Sequence, residues 1–490
     1  MTSGWSLVAA AIIATALLWP APAAPESPED LFSQAADAEQ SGNLDAAIDL
    51  LTRAVALEPD NAAIYNNRGI VYARKKEYDE AIRDFTKALS LNPDNPSTYN
   101  NRGMAYLEKG DLEAAARDFN RSLDLDPEQI PTLLNRAALQ MKNGMLDRAI
   151  RDVKTVLQIE NRNVKALIVL GRLLLAQGSL DGAMKAFSEA LREDPNNPSA
   201  FKGRGDVSFM RGKFAAAIED YDRALKSGRR DAEILTNRCS ASIRLRDMQS
   251  ATRDCQEALE INPGLGEASY NLGLARAGQE KHKEAVEAFS RALAASPDRP
   301  DYYYVRAISF LRLGQEEEAL KDFDKAVELD PKHADSLNYR GTILWRRGDI
   351  EPAFNDFRKA VQADQRHIAA LMNLGMGYLS QGLPDKAVPI LEKAVELEPK
   401  DPVISAALGE AWLAKKDWQR ALSCFNNSLK RELSTEQKTQ ILAQTGLAWE
   451  KSGNARKALK SYEQAMQTAS DPAVRKRLSE KISNLDSRRR

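Results

Sequence analysis

Alanine recurs every 34 residues through most of this 490-residue sequence, and that period constrains the fold more than any other feature. The spacing holds without insertion over twelve alanines, and a thirteenth follows 37 residues later. A period of about 20 to 50 residues indicates stacked structural repeats rather than independent globular domains. If each repeat begins 19 residues before its alanine, thirteen repeats start at residues 28, 62, 96, 130, 164, 198, 232, 266, 300, 334, 368, 402 and 439.

Other columns of the repeat follow the same period. In repeat 3, a small residue (Gly103) stands at position 8, a bulky apolar residue (Phe119) at position 24 and proline (Pro127) near the end. Glycine stands at position 15 of most repeats, as Gly110 does here. Apolar and small residues three or four apart indicate one face of a helix. Proline belongs after a helix or in its first turn, so each repeat is predicted to be helix, short turn, helix.

These columns resemble the tetratricopeptide repeat (TPR) family. Repeat 2 carries the family pattern in Tyr65, Gly69, Tyr72, Ala81, Phe85, Ala88 and Pro93. The resemblance implies an all-α, right-handed superhelical solenoid of about 13 helix-turn-helix units over residues 26–471, with the first helices lining a concave groove. Residues 472–490 are then expected to form a basic C-terminal capping helix and tail, which a solenoid needs at its end.

The first 25 residues differ from the rest of the chain. They contain no Asp, Glu, Lys or Arg, and residues 7–19 form a 13-residue apolar run. A membrane-spanning helix needs about 20 such residues, so the run is closer to the core of a signal peptide. We therefore expect residues 1–25 to be a signal peptide and the protein to be exported, to the bacterial periplasm or the cell exterior. The alternative is an uncleaved N-terminal segment that anchors the protein to a membrane.

Two charged columns occur together. Position 7 is arginine and position 23 is aspartate in repeats 2, 3, 4, 6, 7, 9 and 10, and the other six repeats have neither. Columns that are present and absent together indicate side chains that meet, so we predict a structural ion pair between the two helices of each of these repeats. The seven pairs are Arg68 with Asp84, Arg102 with Asp118, Arg136 with Asp152, Arg204 with Asp220, Arg238 with Asp254, Arg306 with Asp322, and Arg340 with Asp356.

Position 6 is asparagine in six repeats. A carboxamide offers an acceptor and two donors, so it can pair with the backbone of an extended peptide of any sequence. The TPR resemblance places this position on the wall of the groove, where a ladder of asparagines would bind a peptide. The alternative is a solvated residue that repeat duplication has carried along. The residues are Asn67, Asn101, Asn135, Asn237, Asn271 and Asn373.

Three tyrosines and two arginines cluster on the predicted groove wall of repeats 8 to 10. Tyr270, Tyr304 and Tyr339 occupy positions 5 and 6, and Arg312 and Arg346 occupy position 13. Aromatic residues beside arginine are the composition of binding hot spots. These residues are therefore candidates for the peptide-binding groove, although packing between helices would also explain the tyrosines.

Cysteine and histidine are scarce, with three of each. Cys239 and Cys255 occupy positions 8 and 24 of repeat 7, two packing columns that face each other, so they form either a disulfide in an oxidising compartment or a pair of small buried residues. The three histidines lack metal-ligand spacing. We expect no catalytic residue, no metal site, no cofactor and no small-molecule substrate, and hence no enzyme.

Composition narrows the functional classes further. The sequence has 69 Lys and Arg against 70 Asp and Glu, and this balance gives no field for gathering nucleic-acid phosphates. We therefore expect a scaffold that binds an extended peptide segment of a partner protein in its groove. The alternative is a structural protein that self-associates or organises a membrane-associated complex through its convex face and charged ends.

Overall fold

The computed structural model describes residues 27–228 and 230–487, and these residues form 27 α-helices without any β-strand. The predicted signal peptide and the three arginines that end the sequence lie outside the described residues. None of the described helices is both long and apolar enough to cross a membrane. The chain divides into an N-terminal body, described over residues 27–228, and a C-terminal body, residues 230–487.

The N-terminal body consists of six helix pairs. Their bounds are α1 Pro28–Gln40, α2 Leu44–Leu57, α3 Ala62–Arg74, α4 Tyr78–Leu91, α5 Pro96–Lys109, α6 Leu112–Leu125, α7 Ile130–Lys142, α8 Leu146–Ile159, α9 Val164–Ala176, α10 Leu180–Glu193, α11 Pro198–Met210 and α12 Phe214–Ser227. Within this body, each helix packs mainly on the helices that precede and follow it along the chain. Burial therefore occurs between neighbours in sequence, as in a solenoid.

The C-terminal body consists of seven helix pairs and a final single helix. Their bounds are α13 Ala232–Arg244, α14 Met248–Ile261, α15 Gly266–Gly278, α16 His282–Ala295, α17 Pro300–Arg312, α18 Glu316–Leu329, α19 Ala334–Arg347, α20 Ile350–Ala363, α21 Ile368–Ser380, α22 Pro384–Leu397, α23 Pro402–Ala414, α24 Trp418–Leu429, α25 Thr435–Lys451, α26 Ala455–Thr468 and α27 Pro472–Ser487. The odd-numbered helices α1 to α25 are called A helices below, and their even-numbered partners B helices.

The first residue of the A helix coincides with the sequence-based repeat start in repeats 1 to 12. In repeat 13 the helix begins at Thr435, four residues before residue 439. The cause is local, because Ser434 and Gln437 form a capping box. Ser434 Oγ accepts from the Gln437 backbone N–H at 3.2 Å, and Gln437 Oε1 accepts from the Ser434 N–H at 3.0 Å. These bonds satisfy backbone donors at the start of the helix and fix its first turn.

The turn between the two helices of each repeat depends on a left-handed residue at position 15. Gly110, for example, has φ of 92° and ends α5. Glycine adopts this conformation without a steric penalty, which explains its recurrence there. Four repeats use Lys76, Arg246, Glu280 or Lys416 instead, with φ between 62° and 65°.

The core of each repeat is formed by the columns seen in the sequence. All thirteen alanines of the 34-residue period are 0% exposed. In repeat 3, a Cβ on Gly103 would lie 2.7 Å from Phe119 Cε1, so the absence of a side chain at position 8 makes room for the ring at position 24. Helices A and B therefore pack closely at this point. A larger side chain at position 8 would overlap the ring at position 24, and close-packed interiors tolerate little overlap.

The last helix, α27, packs on α26 and buries Leu478 and Leu485. Its other side chains are mostly exposed, including Lys476 and Arg477. An amphipathic helix with a polar outer face closes the apolar end of repeat 13, which is the role of a capping element in a repeat protein.

Candidate functional site

The A helices of successive repeats contact one another, for example α19 with α21 and α21 with α23. Positions 2, 5, 6, 9, 12 and 13 of these helices are here called the A-helix face. The asparagines of position 6, the three tyrosines and the two arginines that were predicted as binding residues all occupy positions of this face. The structure shows how much of each side chain is used inside the scaffold and how much is left for a partner.

All seven Arg and Asp columns meet as bidentate ion pairs. In repeat 3, Arg102 Nε donates to Asp118 Oδ2 at 2.7 Å and Arg102 Nη2 donates to Oδ1 at 2.8 Å. The Arg side chain is 18% exposed and the Asp side chain 8%. The same two contacts join Arg68 with Asp84, Arg136 with Asp152, Arg204 with Asp220, Arg238 with Asp254, Arg306 with Asp322, and Arg340 with Asp356.

The third nitrogen of several of these arginines reaches the preceding repeat. Arg102 Nη1 donates to Thr86 Oγ1 at 3.1 Å, and Arg340 Nη1 donates to Asp324 Oδ1 at 2.9 Å. Both acceptors stand at position 25 of the previous B helix. The hydrogen bond with Asp118 raises the pKa of the Arg102 guanidinium, so this group stays positively charged. The pairing of arginine and aspartate within a repeat can be predicted from the sequence. The hydrogen bond from the arginine to the preceding repeat is seen only in the structure.

The asparagines of position 6 use part of their hydrogen-bonding capacity between repeats. Asn101 Nδ2 donates to Asn66 Oδ1 at 3.2 Å, and Asn135 and Asn373 donate in the same way, to Asn100 at 2.9 Å and to Asn338 at 2.8 Å. Each acceptor stands at position 5 of the preceding A helix. These amides therefore hold neighbouring A helices in register, and the carboxamide is only partly free for a peptide.

The other asparagines of the column differ in exposure. Asn271 is 4% exposed, and its Nδ2 has no hydrogen-bond partner among the described residues. Asn67 and Asn237 are half-buried on α3 and α13. A uniform ladder of six equivalent carboxamides is therefore not what the structure shows, because the neighbours at position 5 change from repeat to repeat.

The tyrosines of repeats 8 to 10 are largely packed against other rings. Tyr270 stacks on Tyr302 with ring centroids 4.5 Å apart, and Tyr304 lies 6.0 Å from Tyr339. Burial raises the pKa of the Tyr270 and Tyr304 hydroxyls. Tyr339 also stacks on Phe323 but keeps 36% of its surface exposed. Of the three, Tyr339 offers the most surface to a partner.

Tyr339 lines a cleft of about 430 Å³ on the A-helix face of repeats 9 and 10. Arg312 and Arg346, both exposed, stand at its edge. Arg346 Nη2 lies 2.8 Å from Glu316 Oε2. The remaining lining residues are Ile308, Leu311 and Gly314. The structure thus brings together Tyr339, Arg312 and Arg346, and it places Tyr270 and Tyr304 outside the lining of this cleft.

A second cleft, of about 220 Å³, is one that sequence reasoning missed. It lies on the A-helix face of repeats 11 to 13 and is lined by Met372, Met376, Val403, Ala406, Ala407, Glu410, Phe425, Gln437, Gln440, Ile441 and Gln444. The signal that could have found it is the composition of α21 and α23, in which Glu410 is the only charged residue. Met376 and Val403 are 39% and 42% exposed there.

The N-terminal body has a cleft of about 370 Å³ on repeats 2 and 3. Asn101 lines it, together with Ile70, Ala73, Arg74, Lys76, Tyr78, Phe85, Met104, Ala105 and Glu108. Ile70 and Met104 both stand at position 9. Asn101 is therefore a position-6 asparagine that the structure places beside an open apolar surface in this body.

Cys239 and Cys255 form a disulfide, with sulfur atoms 2.10 Å apart and Cα atoms 5.7 Å apart. The bond joins α13 to α14 at the two positions that hold glycine and phenylalanine in repeat 3. The third cysteine, Cys424, is a free thiol whose pKa is raised to about 11 because it is partly buried and lies near Glu392.

Two histidines link repeats 9 to 11, a connection that sequence reasoning did not anticipate. His333 Nδ1 accepts from the Ser336 N–H at 3.2 Å, and its Nε2 lies 3.2 Å from Asp301 Oδ1. His367 caps α21 in the same way and contacts Asp335. Each histidine caps the start of one A helix and contacts the aspartate at position 2 of the preceding A helix.

Across residues 27–228 and 230–487, no group of three His, Cys, Asp or Glu side chains is arranged to hold a metal ion.

Comparison with known families identifies the class of the protein. Family models described as tetratricopeptide repeat or TPR repeat match residues 40–76, 62–95, 96–129, 140–205, 203–265, 266–300, 304–368 and 378–437. These matches cover most of the sequence. The chain therefore belongs to the tetratricopeptide repeat family, whose members act as protein-interaction scaffolds and bind protein or peptide partners.

Several solved structures are similar to part or most of the chain. A TPR protein from Parabacteroides merdae is 26% identical, with 51% of this chain and 98% of that chain covered and a TM-score of 0.44. Cut9–Hcn1 of the APC/C is 15% identical, with 94% and 96% covered and a TM-score of 0.47. YrrB is 22% identical, with 38% and 97% covered and a TM-score of 0.35. A search of curated proteins finds no match to the sequence.

Proposed function

We propose that this protein is a non-enzymatic scaffold that holds an extended segment of a partner protein against the A-helix face of its C-terminal body. The observation that carries the proposal is a run of exposed apolar side chains on three successive A helices. Tyr339, Met376 and Val403 stand on α19, α21 and α23, and each has more than a third of its surface exposed. Met376 and Val403 also line the same cleft, and contiguous exposed apolar surface marks interaction sites.

The clefts of repeats 9 to 10 and 11 to 13 support this proposal. Their lining combines apolar side chains with a small number of charged and amide groups. Sites that bind peptides combine apolar anchors with a few polar groups that fix the orientation of the ligand. The asparagine column contributes as well, although its amides also hold the repeats together.

We further propose that the protein is exported and works in an oxidising compartment. The Cys239–Cys255 disulfide supports this location, because disulfides persist in secreted and periplasmic proteins and are rare in the cytosol. The apolar, uncharged run of residues 7–19 supports it independently.

Site-specific photo-crosslinking in living cells tests the binding face. We would place p-benzoylphenylalanine at Met376 and, as a matched control, at Ile261, which is 43% exposed at the end of the B helix α14. We expect adducts at Met376 that map to one contiguous segment of a partner, and none at Ile261. Adducts at Ile261 alone, or adducts with a second copy of the chain at both positions, would instead favour assembly through the B helices.

A matched pair of variants makes the test independent of the crosslinker. Met376→Gln is expected to weaken capture of the partner strongly, because a polar side chain replaces an apolar contact, whereas Ile261→Gln is expected to leave it unchanged. Both residues are partly exposed, so neither substitution buries an unpaired polar group in the core. Asn101→Ala with Asn135→Ala does not test this face, because both residues lie in the N-terminal body and their amides hold neighbouring repeats together.

A further inference from the structure

The cleft of repeats 11 to 13 contains a single charged group in an apolar setting. The helix α21 has no charged residue, and α23 has only Glu410. Around Glu410 the cleft is lined by methionines, alanines and Val403, with three glutamines from α25. An isolated carboxylate is an unfavourable group to keep in such a place, because burial without a partner costs free energy.

Glu410 has little to compensate its charge. Its only hydrogen bond to the described residues is a long one, from Gln440 Nε2 to Oε1 at 3.5 Å. Within residues 27–228 and 230–487, no lysine or arginine lies within salt-bridge distance of it. Burial raises the pKa of the Glu410 carboxyl, and the contact with Gln440 offsets this only in part. The scaffold therefore leaves a carboxylate on a binding face with no cation of its own.

The dimensions of the cleft restrict what it can hold. Its volume of about 220 Å³ is below the range of roughly 300 to 1,000 Å³ that is typical of small-molecule sites. It suits a side chain of a bound segment better than a cofactor. Methionine side chains are flexible and polarisable and adapt to apolar groups of different shape. Met372 and Met376 line one side of the cleft.

We propose that this cleft selects a segment in which one lysine or arginine is flanked by apolar residues, with the cation paired to Glu410. The inference rests on the function proposed above and deepens it by naming the chemistry of the ligand. An acidic segment would be repelled, and a wholly apolar one would bury the carboxylate without a partner. Residues 7–19 of this chain carry no cation, so they do not supply that chemistry.

Selection from a random dodecapeptide library displayed on phage tests the inference with the full-length protein. The wild-type chain and Glu410→Gln are used as targets, with Glu396→Gln as a matched control, since Glu396 is exposed on the B helix α22. Wild type and Glu396→Gln are expected to enrich peptides with a basic residue between apolar ones. The best synthetic peptide is expected to bind Glu410→Gln about tenfold or more weakly, which is the contribution of a hydrogen bond to a charged group.

The other outcomes separate the two proposals. If wild type enriches peptides that Met376→Gln does not bind, but without a basic residue, the inference is wrong and the binding face stands. Basic peptides that bind Glu410→Gln equally well also overturn the inference. If no enriched peptide depends on Met376, both the inference and the proposed binding face fail. Thermal unfolding of each variant verifies that the fold is intact.

Discussion

Arg102 binds both carboxylate oxygens of Asp118 and at the same time donates to Thr86 of the preceding repeat. One side chain thus fastens helix A to helix B within a repeat and to helix B of the repeat before. Because the bidentate ion pair recurs in six further repeats, it is a regular part of the scaffold rather than a local site.

We predict strong coupling between Arg102 and Asp118 in a double-mutant cycle. Arg102→Ala and Asp118→Ala each leave a mostly buried charge without its partner, so each single change is expected to cost about 1 to 4 kcal/mol. The double variant is expected to lose much less than the sum. Urea unfolding of the four proteins measures this coupling, and additive losses would mean that the ion pair contributes no interaction energy.

We predict that reduction of the Cys239–Cys255 disulfide destabilises the C-terminal body. The bond closes a loop with a sequence separation of 16, for which chain-entropy arguments give about 3 kcal/mol. Calorimetry with and without reductant measures the shift. Cys239→Gly with Cys255→Phe rebuilds the pair found in repeat 3 and serves as the control, because its stability should not respond to reductant.

Thiol titration checks the same bond. In the native protein we expect almost no reaction at pH 8, since Cys424 is the only free thiol and its pKa is raised to about 11. After denaturation without reductant, one thiol per chain should react. Three reactive thiols at that stage would rule out the disulfide in the purified protein.

We predict that Glu410→Gln is more stable than wild type at neutral pH. The folded pKa of Glu410 is raised above its unfolded value of about 4.3, so the ionised carboxylate disfavours the fold. This penalty is relieved as the pH falls through the folded pKa, and the advantage of the variant should shrink towards about pH 4.5. Urea unfolding at both pH values measures it, with Glu396→Gln as control. A stability difference that does not change with pH would contradict the prediction.

We predict that helix α22 opens more readily than α20 of the preceding repeat. Pro389 lies inside α22, beyond its first turn, where it deletes one backbone hydrogen bond. Repeat 11 also lacks the Arg and Asp pair. Hydrogen exchange should be faster at residues 384–391 than at the equivalent residues of α20.

The variant Pro389→Ala restores the missing backbone donor, so it should slow hydrogen exchange in α22 and add up to about 3 kcal/mol to the free energy of unfolding. Equal exchange in the two helices would contradict this prediction.

Much of the scaffold could be predicted from the sequence because each position of the repeat occurs thirteen times and can be compared between repeats. The alanine column, the glycine and phenylalanine contact and the Arg–Asp pairs each involve residues of one repeat, so their regular spacing in the sequence reports their contact in space. The repeat period alone places the start of α25 four residues late, because this helix is 17 residues long and begins at the capping box of Ser434 and Gln437.

The candidate site was less predictable. Asn101 and Tyr304 both lie on A helices, but their use depends on which residues pack around them. Asn66 of the preceding repeat takes a hydrogen bond from Asn101, and Phe323 packs against Tyr304. Sequence reasoning missed Glu410 because nothing in its column marks it. What distinguishes it is the absence of charge on α21, a helix one repeat away.

The sequence by itself determined that this protein is a chain of helical hairpins, since a period of 34 residues and a small residue facing a bulky one are satisfied by helices that pack on their neighbours. Only the tertiary structure decided which polar groups are used to hold adjacent repeats together and which are left for a partner. The reason is that exposure and pairing are set by contacts between repeats, and these contacts change wherever one repeat departs from the pattern of the next.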